Sequence, residues 1–344
     1  MSLHQPVLAG DRLALARLLT EVENDTPLGR STLNSLFPHT GSAHLVGVTG
    51  APGTGKSTLV NQLTLYYRQP PNGEPPRRVA IVAVDPSSPF TGGAVLGDRI
   101  RMRELSGDAG VFIRSMATRG SLGGLAAATA GLVQALDAAG FELIFIETVG
   151  SGQSEVEIAK LAHTTLVVEA PGLGDDVQAI KAGILEIADI LVLNKADRPG
   201  VEAAERALLG MLKLGHPTKR IAQHGLMLEA SAADAELAAT DMWMPPILKT
   251  VATEGKGIPE LVAAIQGHRL HLEQTGNWQR RDRARLQSEL EVLLSSQLVA
   301  NWRNQVSDKR YQAMLDDLLE RKLSPRQAVD ALLNGKVPSG AGPA

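Results

Sequence analysis

An α/β fold with a mostly parallel sheet covered by helices on both faces is predicted by three observations. Short apolar runs alternate with helical periodicity along the chain: Leu45 to Val48, Val79 to Val84, Val111 to Ile113, Leu143 to Ile146, Thr165 to Val168, Ile190 to Leu193 and Pro245 to Ala252. The first run leads into Gly50-Ala-Pro-Gly-Thr-Gly-Lys56-Ser57, and the sixth leads into Asn194-Lys-Ala-Asp197. Strand, glycine turn and amphipathic helix in that order make G-x-x-x-x-G-K-[ST] a phosphate cradle. Ligands of such sheets gather at the carboxyl ends of the strands.

Taken in order, residues 11 to 23 carry Leu13, Leu15, Leu18, Leu19 and Val22 at helical spacing, with Asp11 placed to cap the start. A second short helix is predicted around Ser31 to Leu36, ending at Pro38. Residues 1–40 thus read as a helical extension that packs on the core or on a partner. Gln69-Pro-Pro-Asn-Gly-Glu-Pro-Pro is a solvent loop between the helix after Lys56 and the buried strand from Val79. Helices are predicted near 122–139, 155–163, 175–186 and 200–214, and from Pro259 to His271. Beyond Gly276 the composition shifts to Arg, Gln, Glu and Leu, with no glycine until Gly335. The expected divisions are a nucleotide domain at 41–275, an all-helical extension at 276–334 and a loose tail at 335–344.

The 344 residues suffice for one sizeable core, and 44% hydrophobic with 21% charged residues marks a soluble globular chain. Aromatics are only 3%, so the core is aliphatic. A net charge of -3 with interspersed signs offers no footprint for nucleic acid or an anionic membrane. Cysteine is absent, which removes disulfides and thiolate metal sites. The start has neither a basic n-region nor an apolar h-region, and no window reaches about 18 apolar residues, so a cytoplasmic protein is expected.

Phosphate chemistry is expected along Gly50, Ala51, Pro52, Gly53, Thr54, Gly55, Lys56, Ser57 and Thr58, where backbone N–H groups and a helix amino end face an anion. Lys56 would reach the terminal phosphates and Ser57 would ligate Mg²⁺. Asn194, Lys195 and Asp197 occupy the place of a guanine-reading N-K-x-D: a carboxylate accepts from both N1–H and the exocyclic amine of guanine, which adenine lacks. The lysine stem covers the base. GTP, rather than ATP, is the expected nucleotide. The guanine O6 contact is expected from Val251 and Ala252 at the end of an apolar run, with Ser231 and Ala232 in Glu229-Ala-Ser-Ala232 as the competing choice. Asp85, Asp98 and Glu147 are the acids placed to complete the magnesium shell with Ser57. Glu147 stands where D-x-x-G has aspartate, and Gly150 supplies the γ-phosphate amide. Gln153 is one choice for orienting the attacking water, and a solvent-facing role fits it equally well.

These stretches resemble the accessory GTPases of adenosylcobalamin-dependent acyl-CoA mutases, the MeaB-like and ArgK-like chaperones of methylmalonyl-CoA mutase. The resemblance is carried by Gly47 to Ser57, Val84-Asp-Pro-Ser-Ser-Pro-Phe-Thr-Gly-Gly-Ala-Val-Leu-Gly-Asp-Arg99, Phe112 to Gly124, Ile146 to Glu155 and Asn194 to Asp197. It implies slow GTP hydrolysis stimulated by the mutase, a homodimer joined through the carboxyl-terminal helices, and gating of cobalamin loading or rescue. It also implies a third mobile region at Gly172 to Gly183, with Asp175, Asp176 and Lys181 as the partner-facing residues. The chain departs from the family pattern between Met211 and Trp243. Three other readings compete. A nickel- or zinc-delivery GTPase would use cysteine-rich motifs, and the eight histidines are scattered. An amino-acid kinase would have no reason for N-K-x-D, and a non-enzymatic binding module would not need Lys56 with its acids.

Overall fold

The computed structural model describes residues 3–71, 73–86, 103–105, 107–118, 122–148, 158–172, 186–214 and 243–334. Seven strands form one sheet: β1 His44–Thr49, β2 Val79–Pro86, β3 Val111–Thr118, β4 Leu143–Thr148, β5 Thr164–Glu169, β6 Ile190–Asn194 and β7 Ile247–Thr250. Their order is β3-β2-β4-β1-β5-β6-β7, and every neighbouring pair is parallel. All seven apolar runs are therefore strands. The central strand is β1, so the turn that follows it opens where the chain switches direction across the sheet.

The helices are α1 His4–Leu8, α2 Arg12–Glu23, α3 Pro27–Leu36, α4 Lys56–Arg68, α5 Leu122–Ala138, α6 Val201–Leu214, α7 Ile258–Gln274, α8 Asn277–Gln305, α9 Asp308–Leu319 and α10 Pro325–Asn334. Asp11 caps α2 as its position predicts, accepting from the N–H groups of Leu13 at 2.8 Å and Ala14 at 3.1 Å. Such a cap contributes about 1 kcal/mol. The next helix starts earlier than Ser31, because Thr26 caps it with Pro27 in its first turn, and α1 lies ahead of the predicted helices. At the other end, β7 covers only the middle of Pro245 to Ala252: a 3-10 turn begins at Ala252 and breaks the ladder.

Alternation along the strands divides the core. Leu45, Ala80, Val82 and Ile144 face Leu18 and Leu19 of α2, Leu36 of α3 and Leu132 and Leu136 of α5. The amino-terminal helices therefore pack on the core. On the same face, Val167 and Leu191 meet Leu208 of α6. Val46, Val48, Ile81, Phe145, Val168 and Val192 face the opposite layer, built from Leu59 and Leu63 of α4 and Leu261 and Ile265 of α7. Each fully buried aliphatic side chain contributes roughly 1.5–3 kcal/mol, so both layers hold the strand ends in register.

Two compact units divide the chain, Met1–Glu289 and Leu290–Ala344, with the division inside α8. The second has its own small core of Met314, Ala328 and Ala331. Among the described residues, no helix is long and apolar enough to cross a membrane.

Candidate functional site

At the carboxyl end of β1 the chain turns sharply into α4. Gly50 has φ 134°, and a Cβ there would lie 2.0 Å from the Val168 carbonyl oxygen; Gly55 has φ 96°, and its Cβ would meet Asn194 Nδ2 at 2.5 Å. Only glycine lets the loop pass this close to β5 and β6. The helix then starts at Lys56, leaving its first N–H groups directed at the loop's concave side, where an anion is favoured.

Lys56 is 6% exposed, and its ammonium donates to the carbonyl oxygens of Gly50 at 2.8 Å and Ala51 at 3.0 Å. The cation is thus stored on the loop it would serve. Ser57 Oγ donates to Glu147 Oε1 at 2.6 Å. Glu147 comes from β4, next to β1, and the adjoining Thr148 hydroxyl donates to that of Thr49 at 3.1 Å. A hydroxyl beside a carboxylate is a hard oxygen donor pair of the kind magnesium takes, together with phosphate oxygens and water. These two side chains therefore fit the ion.

The carboxyl end of β6 is assembled around Asn194, which is 2% exposed. Its Nδ2 donates to the Thr54 carbonyl at 2.8 Å, while its Oδ1 accepts from Thr250 Oγ1 at 3.0 Å and from the Ala252 N–H at 3.1 Å. One side chain ties the phosphate loop, β6 and the turn after β7. Lys195, at φ 57°, extends its ammonium to the Gly53 carbonyl at 2.5 Å, so its stem lies along the loop. Asp197 is exposed beside them. The turn after β7 closes when the Val251 N–H donates to the Lys256 carbonyl at 3.0 Å. Glu254 raises the Lys256 ammonium pKa first, through its hydrogen bond and charge, and Asp197 adds to this.

Two widely separated sequence motifs, Gly50 to Ser57 and Asn194 to Asp197, thus meet in one cradle at the carboxyl ends of the strands. Residues 15–307 match the family model described as Methylmalonyl Co-A mutase-associated GTPase MeaB. The chain belongs to that family. It is 44% identical to a putative GTPase of Pyrococcus abyssi over 96% of this chain and 95% of that protein. GTPase ArgK of Escherichia coli K12 is 35% identical over 94% and 92%. The crystal structure of an LAO/AO transport system kinase superposes with a TM-score of 0.63 at 27% identity, covering 97% and 96%. The chain is a P-loop GTPase.

Within the family frame, Gly50 to Thr58, Asn194, Lys195, Asp197, Val251 and Ala252 lie around this cradle, with Ser57 against Glu147. Asp85 is at the carboxyl end of β2, opposite Ala117 of β3, and its side chain lies outside the described part. Asp98, Gly150, Gln153, Asp175, Asp176, Lys181, Ser231 and Ala232 also lie outside the described residues. Thr250 and Lys256 were missed from sequence. A threonine closing an apolar strand, and a lysine between two glycines, were the available signals. A cleft of about 640 Å³ lined by Arg77, Glu142, Gln266 and Arg269 sits instead by the amino ends of β2 and β4, away from the cradle.

Replacing Asn194 with alanine is expected to destabilise the fold by on the order of 3 kcal/mol, because three buried groups lose their partner and each unpaired group costs about 1–3 kcal/mol. Urea unfolding measures this. A loss below about 0.5 kcal/mol, the range of an ordinary surface substitution, contradicts the role given to Asn194.

Proposed function

We propose that this chain is a homodimeric, magnesium-dependent GTPase of the cytoplasm that gates cobalamin loading, protection or reactivation in an adenosylcobalamin-dependent acyl-CoA mutase. The observation that carries the nucleotide part is Asn194, which binds the phosphate loop and the guanine-side turn at once. Support for the mutase comes from the family's description. Lys56 would swing from the Gly50 and Ala51 carbonyls to the terminal phosphates of GTP, and Asp197 would take the guanine edge. Ser57 and Glu147, with Asp85 and Asp98, would hold magnesium, which neutralises phosphate charge when bound. Gly150 would offer its amide to the γ-phosphate. Val251 and Ala252 supply the O6 side, the Ala252 N–H being shared with Asn194.

Dimerisation is supported by the second unit, where Leu290, Leu294 and Leu298 are spaced four residues apart on α8 and are 65%, 54% and 59% exposed. Leu293 lies on the same stripe. An exposed apolar helix face of this kind marks an interaction surface, and a second copy of the chain is the partner proposed for it.

The deciding experiment measures GTP and ATP turnover with and without a methylmalonyl-CoA mutase. GTP selectivity with mutase stimulation is expected; ATP turnover at the same rate, or indifference to every such mutase, refutes the reading. Asp175→Ala and Lys181→Ala, in the proposed partner relay, are expected to leave basal hydrolysis nearly intact and to remove most of the stimulation. Partner-driven acceleration reaches about 10³ to 10⁵ in GTPases, so its loss is readily read in a stimulated-to-basal rate ratio. A wild-type ratio in both variants returns the relay to other loops.

A further inference from the structure

The nucleotide chemistry uses the carboxyl ends of the strands, yet a buried polar network lies at their amino ends. It comprises His44 at the start of β1, His163 and Thr164 at the start of β5, Asp189 just before β6, His268 of α7, and Trp278, Arg281 and Asp282 of α8. Asp189 accepts both guanidinium N–H groups of Arg281 at 2.8 Å and the Thr165 N–H at 2.9 Å. Arg281 also donates to the His163 carbonyl at 2.5 Å. The His163 ring stacks on Trp278 with centroids 3.9 Å apart.

Hydrogen-bond direction sets the proton on each ring. The backbone N–H of Leu45 donates to His163 Nδ1 at 3.1 Å, so Nδ1 has no proton and Nε2–H donates to Asp282 Oδ1 at 3.0 Å. Thr164 Oγ1 lies 2.7 Å from His44 Nε2 and 2.9 Å from His268 Nδ1. A hydroxyl has one proton and two lone pairs, so it donates to at most one ring, accepting from the other, or accepts from both. His268 Nε2 makes no hydrogen bond among the described residues, but it lies 3.4 Å from the Asp189 carboxylate, whose negative charge favours the His268 proton on that nitrogen. The Thr164 hydroxyl then donates to His268 Nδ1, and His44 Nε2–H donates to Thr164. Every ring is neutral in this order. A further proton on His163 displaces the Leu45 N–H; one on His268 Nδ1 turns the Thr164 hydroxyl from donor to acceptor.

We propose that this network is a proton-sensitive clasp: neutral histidines fasten the first turns of α8 to the amino ends of β1, β5 and β6, and their protonation releases the helix while the sheet stays folded. The surrounding charges set its direction. Burial, then His163, Arg269, His268 and Arg77, hold His44 well below the ordinary imidazole range. Burial also lowers His163, against the pull of Asp282, with Arg285 and Arg281 reinforcing it. For His268 burial dominates Asp189, and Arg281, His271 and His163 add to it, bringing its pKa to about 4. Asp189 would rise on burial alone, but the Arg281 guanidinium, by its charge and hydrogen bonds, together with the Thr165 N–H, holds it well below the usual carboxylate range. Released rings titrate near 6.5. The clasped state therefore binds fewer protons, and its stability falls as pH is lowered from about 6.5 towards 4.

The test is hydrogen exchange on the full chain across that range, reported as protection factors. Protection of residues 277–289 is expected to fall by about tenfold or more by pH 5, while Leu143–Thr148 of β4 keeps its protection. Simultaneous loss in both segments, or no loss in either, overturns the clasp. His268→Asn keeps an acceptor for Thr164 but cannot titrate, so the release midpoint is expected to move down by about half a pH unit or more; an unchanged midpoint counts against the proposal. Should that variant not fold, ¹⁵N imidazole spectra of the wild-type chain decide. His163 must appear as the Nε2–H tautomer and titrate below its ordinary value, and an Nδ1–H tautomer or ordinary titration refutes the assignment.

Discussion

Lys56→Ala is expected to lower GTP turnover by at least about 10² to 10³, the cost of removing one preorganised group that stabilises charge on the reacting phosphate. The side chain is nearly buried, and its ammonium rests 2.8 Å and 3.0 Å from two loop carbonyls, so it is already held beside the phosphate position. Little reorganisation separates storage from use. Single-turnover hydrolysis under saturating GTP and magnesium measures the loss, and circular dichroism checks that the fold survives. Removing the lysine leaves the buried Gly50 carbonyl and the part-buried Ala51 carbonyl without this donor, so some loss of stability accompanies the loss of turnover. Turnover within tenfold of wild type would remove Lys56 from the chemistry. Lys56→Arg is not expected to rescue, since a planar guanidinium is bulkier than the compact ammonium this loop encloses.

Asp197→Asn is expected to weaken GTP by tenfold or more and to improve binding of xanthosine triphosphate. A carboxylate accepts two hydrogen bonds from the guanine edge, each worth about 1.5–3 kcal/mol, and the amide turns one acceptor into a donor. Xanthine offers a carbonyl where guanine has its amine, so the same change suits it. Asp197 is exposed and sits beside Lys256, and neither neighbour is buried by the substitution. A stability change is therefore not expected, which separates this result from Asn194→Ala. Competition binding with both nucleotides gives the ratio; unchanged preference for GTP contradicts the assignment of the guanine contact.

Local chemistry was readable where a residue acts within its own turn of chain. Asp11 caps α2 because the bonded N–H groups are two and three residues away. The strands were readable because a doubly covered parallel sheet buries both faces, leaving unbroken apolar runs. The start of α3 was missed because Thr26 and Pro27 are also loop formers, and only the Gly29 N–H on the Thr26 hydroxyl shows which role they take. The width of β7 was overestimated for the converse reason: Val251 is apolar, but its N–H turns back to Lys256.

By itself the sequence determined that this chain is a P-loop GTPase, since Gly50, Gly55, Lys56 and Ser57 stand at spacings set by one turn of backbone and Asn194 to Asp197 follow the sixth apolar run. Tertiary structure alone decided how these pieces become one site. Asn194 bonds to Thr54 across 140 residues and to Ala252 across 58, and the order β1-β5-β6-β7 brings those strand ends side by side. The same packing decided what the histidines do. His44, His163 and His268 are scattered along the chain, and Arg281 is 92 residues from Asp189. Nothing in their spacing marks them as partners, because these bonds form only when β1 and β5 pair and α7 and α8 pack at the amino ends of the strands.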